Sequence, residues 1–310
     1  MPANVETMFY VREKPWHGLG TEVQEAPTSA DALIYAGLDW EVIQKDVYTE
    51  NGSLISGYKV NLRSTDNEAL GIVSDRYKVV QNVEAFSFTD ELLGAGVRYE
   101  TAGSLQEGRK VWLLARLPRE YIIAGERISP YLVFSNTHDG SGSVKVAVTP
   151  VRVVCNNTLN LALDTAKRSF SMIHTGNIHD KIQEAKDTLF MAEKYMDSLG
   201  IEFEQLRRQK ITDAQIKEYI ELLLPMEKDA TSIQSKNIIR LRKDMERRYY
   251  DAPDLQKVGN NAYRFVNAVS DFATHSEPLR RTANYNENLF ARTVDGNPLI
   301  DRAYQLVKAA

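Results

Sequence analysis

Cysteine is almost absent from this chain, and its scarcity removes several chemistries at once. Cys155 is the single cysteine among 310 residues. It has no partner for an internal disulfide, and a zinc site built from four cysteines is impossible. Chains without disulfides are typical of reducing compartments, so we expect a cytoplasmic protein.

Long apolar runs and a surplus of positive charge are also missing. No stretch reaches about 18 uninterrupted apolar residues, which argues against a membrane span, and the N-terminus lacks the charged-then-apolar order of a signal peptide. The 38 Lys and Arg residues stand against 42 Asp and Glu residues, for a net charge of −4. The molecule as a whole does not attract a polyanion, so any nucleic-acid binding requires a local basic face.

Recognised catalytic and metal-binding patterns are missing as well. The five histidines form no His-Glu-x-x-His motif, and Cys155 follows an apolar strand, where an inert buried thiol is the default. His174 and His179, which flank a five-residue step next to Asp180, leave a metal site open as the weaker alternative. We therefore assign no catalytic residue, no metal ligand and no cofactor, and we favour a protein that is not an enzyme.

The first 170 residues carry period-two patterns that predict an antiparallel sheet with a few helices. Asn51-Gly52 predicts a tight hairpin, because both central positions of such a turn favour positive φ. The predicted strands are residues 40–48, 54–63, 69–72, 97–102, 110–116, 131–136, 143–149 and 151–154, and the predicted helices are residues 29–36 and 82–93.

After residue 175 the apolar period becomes helical. A first helix from Ile178 to Met196 is predicted to end at Gly200. Further helices are predicted over residues 212–224, with Thr212 as N-cap, and over 232–250, 260–274, 285–292 and 298–308. The fold class is therefore α+β, with a sheet domain over residues 1–170 and a helical region over residues 171–310.

The helix predicted over residues 232–250 separates cations from apolar side chains. The apolar face carries Ile238, Leu241, Met245 and Tyr249, and the cationic face carries Lys236, Arg240, Lys243 and Arg247. The cationic face predicts contacts with a phosphate backbone, whereas the alternative is a solvated face that neighbouring carboxylates balance. Arg248 extends the basic sequence, and Tyr249 and Tyr250 are predicted to stack on bases beside it.

A second predicted contact is the turn from His138 to Ser143, with Lys145 and Arg152 in the chain that follows. Small residues let backbone N–H groups approach an anion, and the two cations would supply countercharge. The alternative is a solvent-exposed hairpin turn without a ligand. Asn156 and Asn157, where a strand passes into a helix, are predicted to bind bases or phosphates, or else to cap that helix.

Three segments carry a resemblance to a known family. They are Pro15-Trp16-His17-Gly18-Leu19-Gly20, the block from Asn136 to Leu163, and the block from Asn261 to His275. The chain resembles the phage/plasmid-like protein family, whose shared region is a domain of unknown function (number 932). That resemblance implies a task in the biology of mobile DNA and supplies no catalytic residues. A looser likeness, of topology only, is to single-strand annealing proteins of the Rad52 type.

Three functions from different classes remain open. The favoured one is a DNA-binding protein of a phage or mobile element that binds or anneals single strands in recombination, as a homo-oligomer without membrane contact. The second is an enzyme acting on nucleotides or nucleic acid, with residues 136–160 as its site. The third is a protein that binds a host factor.

Overall fold

A computed structural model describes residues 5–11, 20–25, 28–93, 98–152, 169–177, 179–280, 292 and 296–309. The strands are β1 Val5–Val11, β2 Thr21–Val23, β3 Val42–Tyr48, β4 Leu54–Arg63, β5 Ala69–Ser74, β6 Arg98–Leu105, β7 Lys110–Arg116, β8 Tyr121–Ile123, β9 Glu126–Thr137, β10 Val144–Arg152 and β11 Ser169–Met172. The helices are α1 Ser29–Tyr35, α2 Asn82–Leu93, α3 Ile182–Arg208, α4 Asp213–Leu223, α5 Ser232–Asp251, α6 Ala262–His275 and α7 Pro298–Lys308. Antiparallel sheets dominate the first half and helices the second, which confirms the predicted α+β class.

The strongest local signals in the sequence are confirmed. The hairpin at Asn51-Gly52 joins β3 to β4, and Gly52 adopts a φ of 78°, which glycine accepts without strain. Helix α2 occupies the predicted residues, and Thr212 caps α4 by accepting a hydrogen bond from the Gln215 N–H. Strand β1 and the shorter strands β2, β8 and β11 were not predicted.

Two predicted breaks are wrong. Helix α3 continues through Gly200 to Arg208, because Phe203 and Leu206 extend the buried period beyond the glycine. Strand β10 runs through Pro150 as one strand, since the fixed φ of proline is compatible with extended backbone. The helix predicted over residues 285–292 lies outside the described residues, apart from Arg292.

The chain divides into two compact units whose segments alternate along the sequence. The first unit comprises Met1–Pro118, Tyr131–Val148 and Lys167–Ala192. The second comprises Arg119–Pro130, Thr149–Ala166 and Glu193–Ala310. The domains predicted from the sequence, residues 1–170 and 171–310, are instead continuous stretches.

The first unit is organised around a large sheet with the strand order β11-β10-β9-β7-β6-β1-β2. Strands β1 and β2 pair in parallel, whereas β7 pairs antiparallel with both β6 and β9. Alternate residues of β7, namely Val111, Leu113 and Ala115, are fully buried in the core, as a sheet with one covered face requires. Residues of α1 and α2 join the same core, where the Phe88 and Phe134 ring centroids lie 6.3 Å apart.

A second sheet, β3-β4-β5, holds the turn between β9 and β10. A Cβ atom at Gly71 would lie 2.6 Å from the Asp139 Cα, so only glycine permits this approach. In β4, Asn61 donates from Nδ2 to the His138 backbone oxygen at 2.6 Å. The second sheet therefore holds the turn between β9 and β10, which is the second contact predicted from the sequence, on one side.

The second unit has a helical core centred on α6. Phe265, Val266 and Val269 are completely buried there, and the hairpin of β8 with the start of β9 contributes Ile123 and Ile128. Each such side chain stabilises the fold by roughly 1.5–3 kcal/mol through removal from water. None of the described helices is both long enough and apolar enough to cross a bilayer.

Candidate nucleic-acid interface

Helix α5 begins at a fixed residue because its N-terminus is doubly capped. The Thr231 side chain accepts a hydrogen bond from the Gln234 N–H at 3.3 Å, and Gln234 Oε1 accepts one from the Thr231 N–H at 2.8 Å. This capping box satisfies two backbone donors that the first turn leaves without helical partners. It therefore sets the start of the helix that carries the predicted basic row.

The inner face of α5 follows the predicted apolar spacing. Met245 and Tyr249 are completely buried, and Leu241 packs partly against the same core. Because the helix has 3.6 residues per turn, this burial turns the opposite side outward. Four cations lie on that outward side and are exposed, and we call them the cationic row: Lys236, Arg240, Lys243 and Arg247.

Three members of the cationic row have no ion pair with a carboxylate in the described ranges. Within the described part of the chain, no acidic side chain forms an ion pair with Lys236, Arg240 or Lys243. Arg247 is exposed but pairs with Asp244 at 2.7 Å. The Arg247 side chain is 68% exposed and Asp244 only 19%, so the arginine end of this pair faces solvent, where salt weakens it.

Arg248 does not belong to the exposed row, contrary to the sequence prediction. Its side chain is 14% exposed and lies between two carboxylates, 3.4 Å from Asp244 and 2.5 Å from Asp271. Burial opposes ionisation of Asp244, but the hydrogen bonds from Ser276 and the two arginines outweigh it and lower the pKa of this carboxyl. The positive charge of Arg248 is therefore compensated by these two carboxylates within the fold.

Tyr249 does not stack on bases, and this prediction is wrong. The side chain has no exposed surface, because the apolar spacing of α5 directs it into the helical core. The Arg264 guanidinium lies 4.8 Å from the centroid of its ring and donates from Nε to the Tyr249 backbone oxygen at 2.8 Å. Neighbouring Tyr250 is half-buried and donates its hydroxyl to Asp213 at 3.0 Å.

A groove of about 530 Å³ runs beside the cationic row and ends at the C-terminus of α6. Arg240, Lys243 and Arg247 line it together with Asp244, and His275, Ser276 and Glu277 at the end of α6 also line it. His275 Nδ1 lies 2.8 Å from Asp271, and the Ser276 hydroxyl donates to Asp244 at 2.7 Å. His275 and Ser276 are distant from α5 along the chain, and the packing of α6 brings them to this site, so no sequence pattern assigned them to it.

The second predicted contact is more enclosed than its sequence indicates. His138 is completely buried, with its N–H donating to the Arg109 oxygen at 2.7 Å and its ring edge-on to Trp40. The Asn82 amide donates to the Leu38 oxygen, which leaves its Oδ1 to accept from His138 Nε2 at 3.0 Å. Only Gly140, Ser141 and Gly142 of this turn are exposed. The start of the turn is therefore part of the core of the first unit.

The other residues predicted to bind nucleic acid are half-buried or lie partly or wholly outside the described residues. Lys145 is half-buried in β10, opposite Ser171 of β11. Arg152 closes β10 with its backbone, and its side chain lies outside the described residues. Asn156, Asn157 and Cys155 also lie outside them. Lys145 and the α5 cations belong to different units.

A buried polar cluster lies where β9 meets the segment before α2. Asn136 donates to the Val80 oxygen at 3.0 Å, and His174 Nδ1 donates to the Lys78 oxygen at 3.1 Å. Burial, and then the neighbouring His174, lower the pKa of His138 to about 3, so the ring is neutral. Among the described residues no donor reaches Asn136 Oδ1, His138 Nδ1 or His174 Nε2.

The described ranges contain no preformed metal site. No group of three or more His, Cys, Asp or Glu side chains in that part of the chain is arranged to hold an ion. His174 and His179, the pair that the sequence left open, have different neighbours: His174 stacks on Tyr77 at 4.4 Å, and His179 lies 3.5 Å from Glu91.

The model of the family described as Domain of unknown function (DUF932) matches residues 69–295. This chain belongs to the DUF932 family. The DUF932 match contains α5, α6 and the complete lining of the groove, and also the resemblance blocks from Asn136 to Leu163 and from Asn261 to His275. No curated protein and no solved structure matches the chain.

Proposed function

We propose that this protein binds nucleic acid through the cationic row of α5. The observation that carries the proposal is the exposure of Lys236, Arg240 and Lys243 without an acidic partner among the described residues, in a chain whose net charge is −4. A phosphate backbone would displace bound counterions at such a row, and each contact adds to a salt-dependent affinity.

The side chains available on this surface favour contacts with phosphate over contacts with bases. Tyr249 is buried and Tyr250 is bonded to Asp213, so α5 offers no freely exposed ring for stacking. The preference for single strands that was predicted from these tyrosines has thus lost its physical basis. Our proposal is that the protein binds DNA through the phosphate backbone of the nucleic acid. A task in a phage or mobile element, such as strand annealing in recombination, rests on the sequence resemblance alone.

The proposal is tested by fluorescence anisotropy with a labelled single strand and its duplex over a range of salt concentrations. The variant carries three charge reversals, Lys236→Glu, Arg240→Glu and Lys243→Glu. Losing three phosphate contacts should reduce the slope of log K against log salt by roughly 2 for the single strand and roughly 3 for the duplex. Affinity at low salt should fall in parallel.

A matched control distinguishes the effect of the cationic row on binding from the effect of the net charge. Lys217→Glu, Lys228→Glu and Lys257→Glu make the same change in charge at exposed positions outside α5. These should leave the salt slope within error of the wild type. Equal losses in both triple variants, or a wild-type affinity that does not respond to salt, would remove the proposal.

The enzymatic alternative retains one supporting feature. Asp139 is half-buried, with its carboxylate accepting from the Ser141 N–H at 2.9 Å, and its charge acts on nearby His174 and Tyr77. This alternative predicts turnover of a nucleotide substrate that Asp139→Ala abolishes in a folded protein. Binding of a host protein stays a third hypothesis.

A further inference from the structure

Three of the four cations of the cationic row line the groove of about 530 Å³ beside α6. They are Arg240, Lys243 and Arg247. Along the helix axis they span about 10 Å, because an α-helix advances about 1.5 Å per residue. Lys236 is exposed one turn before them on the same face of the helix. The row therefore leads along one line into a recess of the protein surface.

Arg240 and Lys243 bring to this groove hydrogen-bond donors that no carboxylate in the described ranges occupies. Lysine and arginine side chains carry donors and no acceptor, so their ligand must supply the acceptors. The Ser276 hydroxyl is already donated to Asp244 at 2.7 Å, and Asp244 also pairs with Arg247. A ligand rich in acceptors and negative charge matches this lining, as a chain of phosphates does.

The groove has no aromatic surface on which a base could stack. Among the described residues that line it, Leu241 is the only apolar one and none is aromatic. Proteins that bind single strands through their bases use aromatic rings for this purpose. A strand in this groove would therefore turn its phosphates toward Arg240 and Lys243 and its bases toward solvent.

The size of the groove favours one strand over a duplex. A recess of about 530 Å³ has the dimensions of a site for a small ligand. The sugar–phosphate chain of a single strand is narrow and flexible, so it can follow such a recess. A duplex carries each backbone on the outside of a stiff rod, so it reaches the rim of the groove but does not bend one strand into it.

Building on the proposed function of the cationic row, we infer that the groove beside α6 binds the sugar–phosphate chain of a single strand and leaves the bases in solvent. Such binding does not depend on base sequence, because contacts with phosphate carry no sequence information. Glu277 opposes it, since this exposed carboxylate lines the groove and forms no ion pair in the described ranges. Removing the charge of Glu277 should therefore strengthen the binding of a strand.

Fluorescence anisotropy of the full chain at one low salt concentration compares three labelled probes of equal length. They are an oligothymidylate, an abasic strand with the same number of phosphates, and the duplex of the oligothymidylate with oligoadenylate. The two single strands should bind with affinities that agree within about twofold, and the duplex should bind at least about tenfold more weakly. Cations on an open surface would instead favour the duplex, whose charge density is higher.

A pair of charge-neutralising variants tests the groove itself. Glu277→Gln should raise the affinity for both single strands roughly threefold. Glu218→Gln removes the same charge at an exposed position of α4 and should bind like the wild type. Equal effects of the two variants, a duplex that binds as tightly as the single strand, or an abasic strand that fails to bind would overturn the inference and leave the proposed function intact. Binding of none of the three probes would remove both.

Discussion

His138 is a histidine that the fold holds without charge. It is completely buried, its Nε2–H is bonded to Asn82, and its Nδ1 carries a lone pair that no described donor satisfies. Two titratable groups lie near it: His174, which is also buried and whose pKa burial lowers, and Asp139 at the start of the turn. Protonation of either ring would place a charge in the core of the first unit, which has little to compensate it.

We therefore expect the stability of the protein to fall in mild acid. Burial lowers the pKa of His138 to about 3 in the folded chain, and in the unfolded chain the value is about 6.5. Above the unfolded value both states are neutral and His138 contributes no pH dependence. Below it only the unfolded state binds the proton, so the free energy of unfolding falls by up to about 1.4 kcal/mol per pH unit.

Urea unfolding at about pH 7.5 and about pH 5 measures this loss. His138→Gln removes one titrating ring and should flatten the dependence, although it costs stability at both pH values. Some dependence should remain because His174 is still present. The matched control is His179→Gln at an exposed histidine, which should keep the wild-type dependence. Equal slopes for wild type and His138→Gln would contradict the assignment.

Whether a single residue is buried or exposed was predictable where the helical spacing of apolar residues determines it. The steps of three and four in α5 predict that Tyr249 shares a face with Met245, and the structure follows this spacing. Base stacking was inferred from the chemistry of a tyrosine beside arginines, which says nothing about direction. Arg248 and Tyr249 were therefore misassigned, whereas Lys236, Arg240 and Lys243 were placed correctly on the exposed face.

Helix α5 gives a prediction at the scale of an element. Its C-terminal half is held in the core by Met245 and Tyr249, and the Tyr249 hydroxyl is buried without a hydrogen-bond partner among the described residues. Tyr249→Phe removes that hydroxyl and keeps the ring under Arg264, so the free energy of unfolding should stay within about 1 kcal/mol of the wild type or rise. Tyr249→Ala removes the ring and should cost about 3–5 kcal/mol.

Urea unfolding and anisotropy with the labelled oligonucleotides test both variants. Tyr249→Phe and the more distant change Tyr249→Leu should bind nucleic acid like the wild type as long as they are folded. A folded Tyr249→Leu variant with clearly weaker binding would revive the stacking role. The pair of readouts matters because loss of α5 packing would otherwise be mistaken for loss of a contact.

Elements were predictable when their signals were local. A hairpin follows from Asn51-Gly52, and α4 and α5 begin where Thr212 and Thr231 cap them. Of the missed strands, β2, β8 and β11 have only three or four residues, and β8 and β11 pair with a neighbouring strand that supplies their hydrogen bonds. Gly200 was misread because a glycine is a common helix end, whereas α3 continues past it to pack Phe203 and Leu206 into the core of the second unit.

At the scale of the whole molecule, the sequence predicts the α+β fold class but does not predict how the chain divides into two compact units. Counting period-two and helical segments gives α+β, but contacts between distant segments decide that residues 119–130 belong with the later helices. The groove beside α6 has the same origin, because His275 and Ser276 reach the cationic row only through helix packing. A sequence pattern identified one wall of the candidate site, and the fold supplied the other.

The boundaries of the DUF932 match lead to a last prediction. Residues 69–295 exclude β4, the central strand of the three-stranded sheet, and α7, which buries Ile300, Tyr304 and Val307 in the core of the second unit. Burial of such side chains is worth roughly 1.5–3 kcal/mol each, and whole domains are stable by only about 5–15 kcal/mol.

A fragment of residues 69–295 should therefore fail to unfold cooperatively, whereas the full chain should show a single sharp transition or two. Near-ultraviolet circular dichroism during heating measures this, since it reports fixed packing of aromatic side chains such as Tyr263 and Phe203. A cooperative transition in the fragment with native aromatic signal would mean that β4 and α7 are dispensable. In that case the family region would be a self-sufficient domain, and the cationic row should bind nucleic acid when carried by the fragment alone.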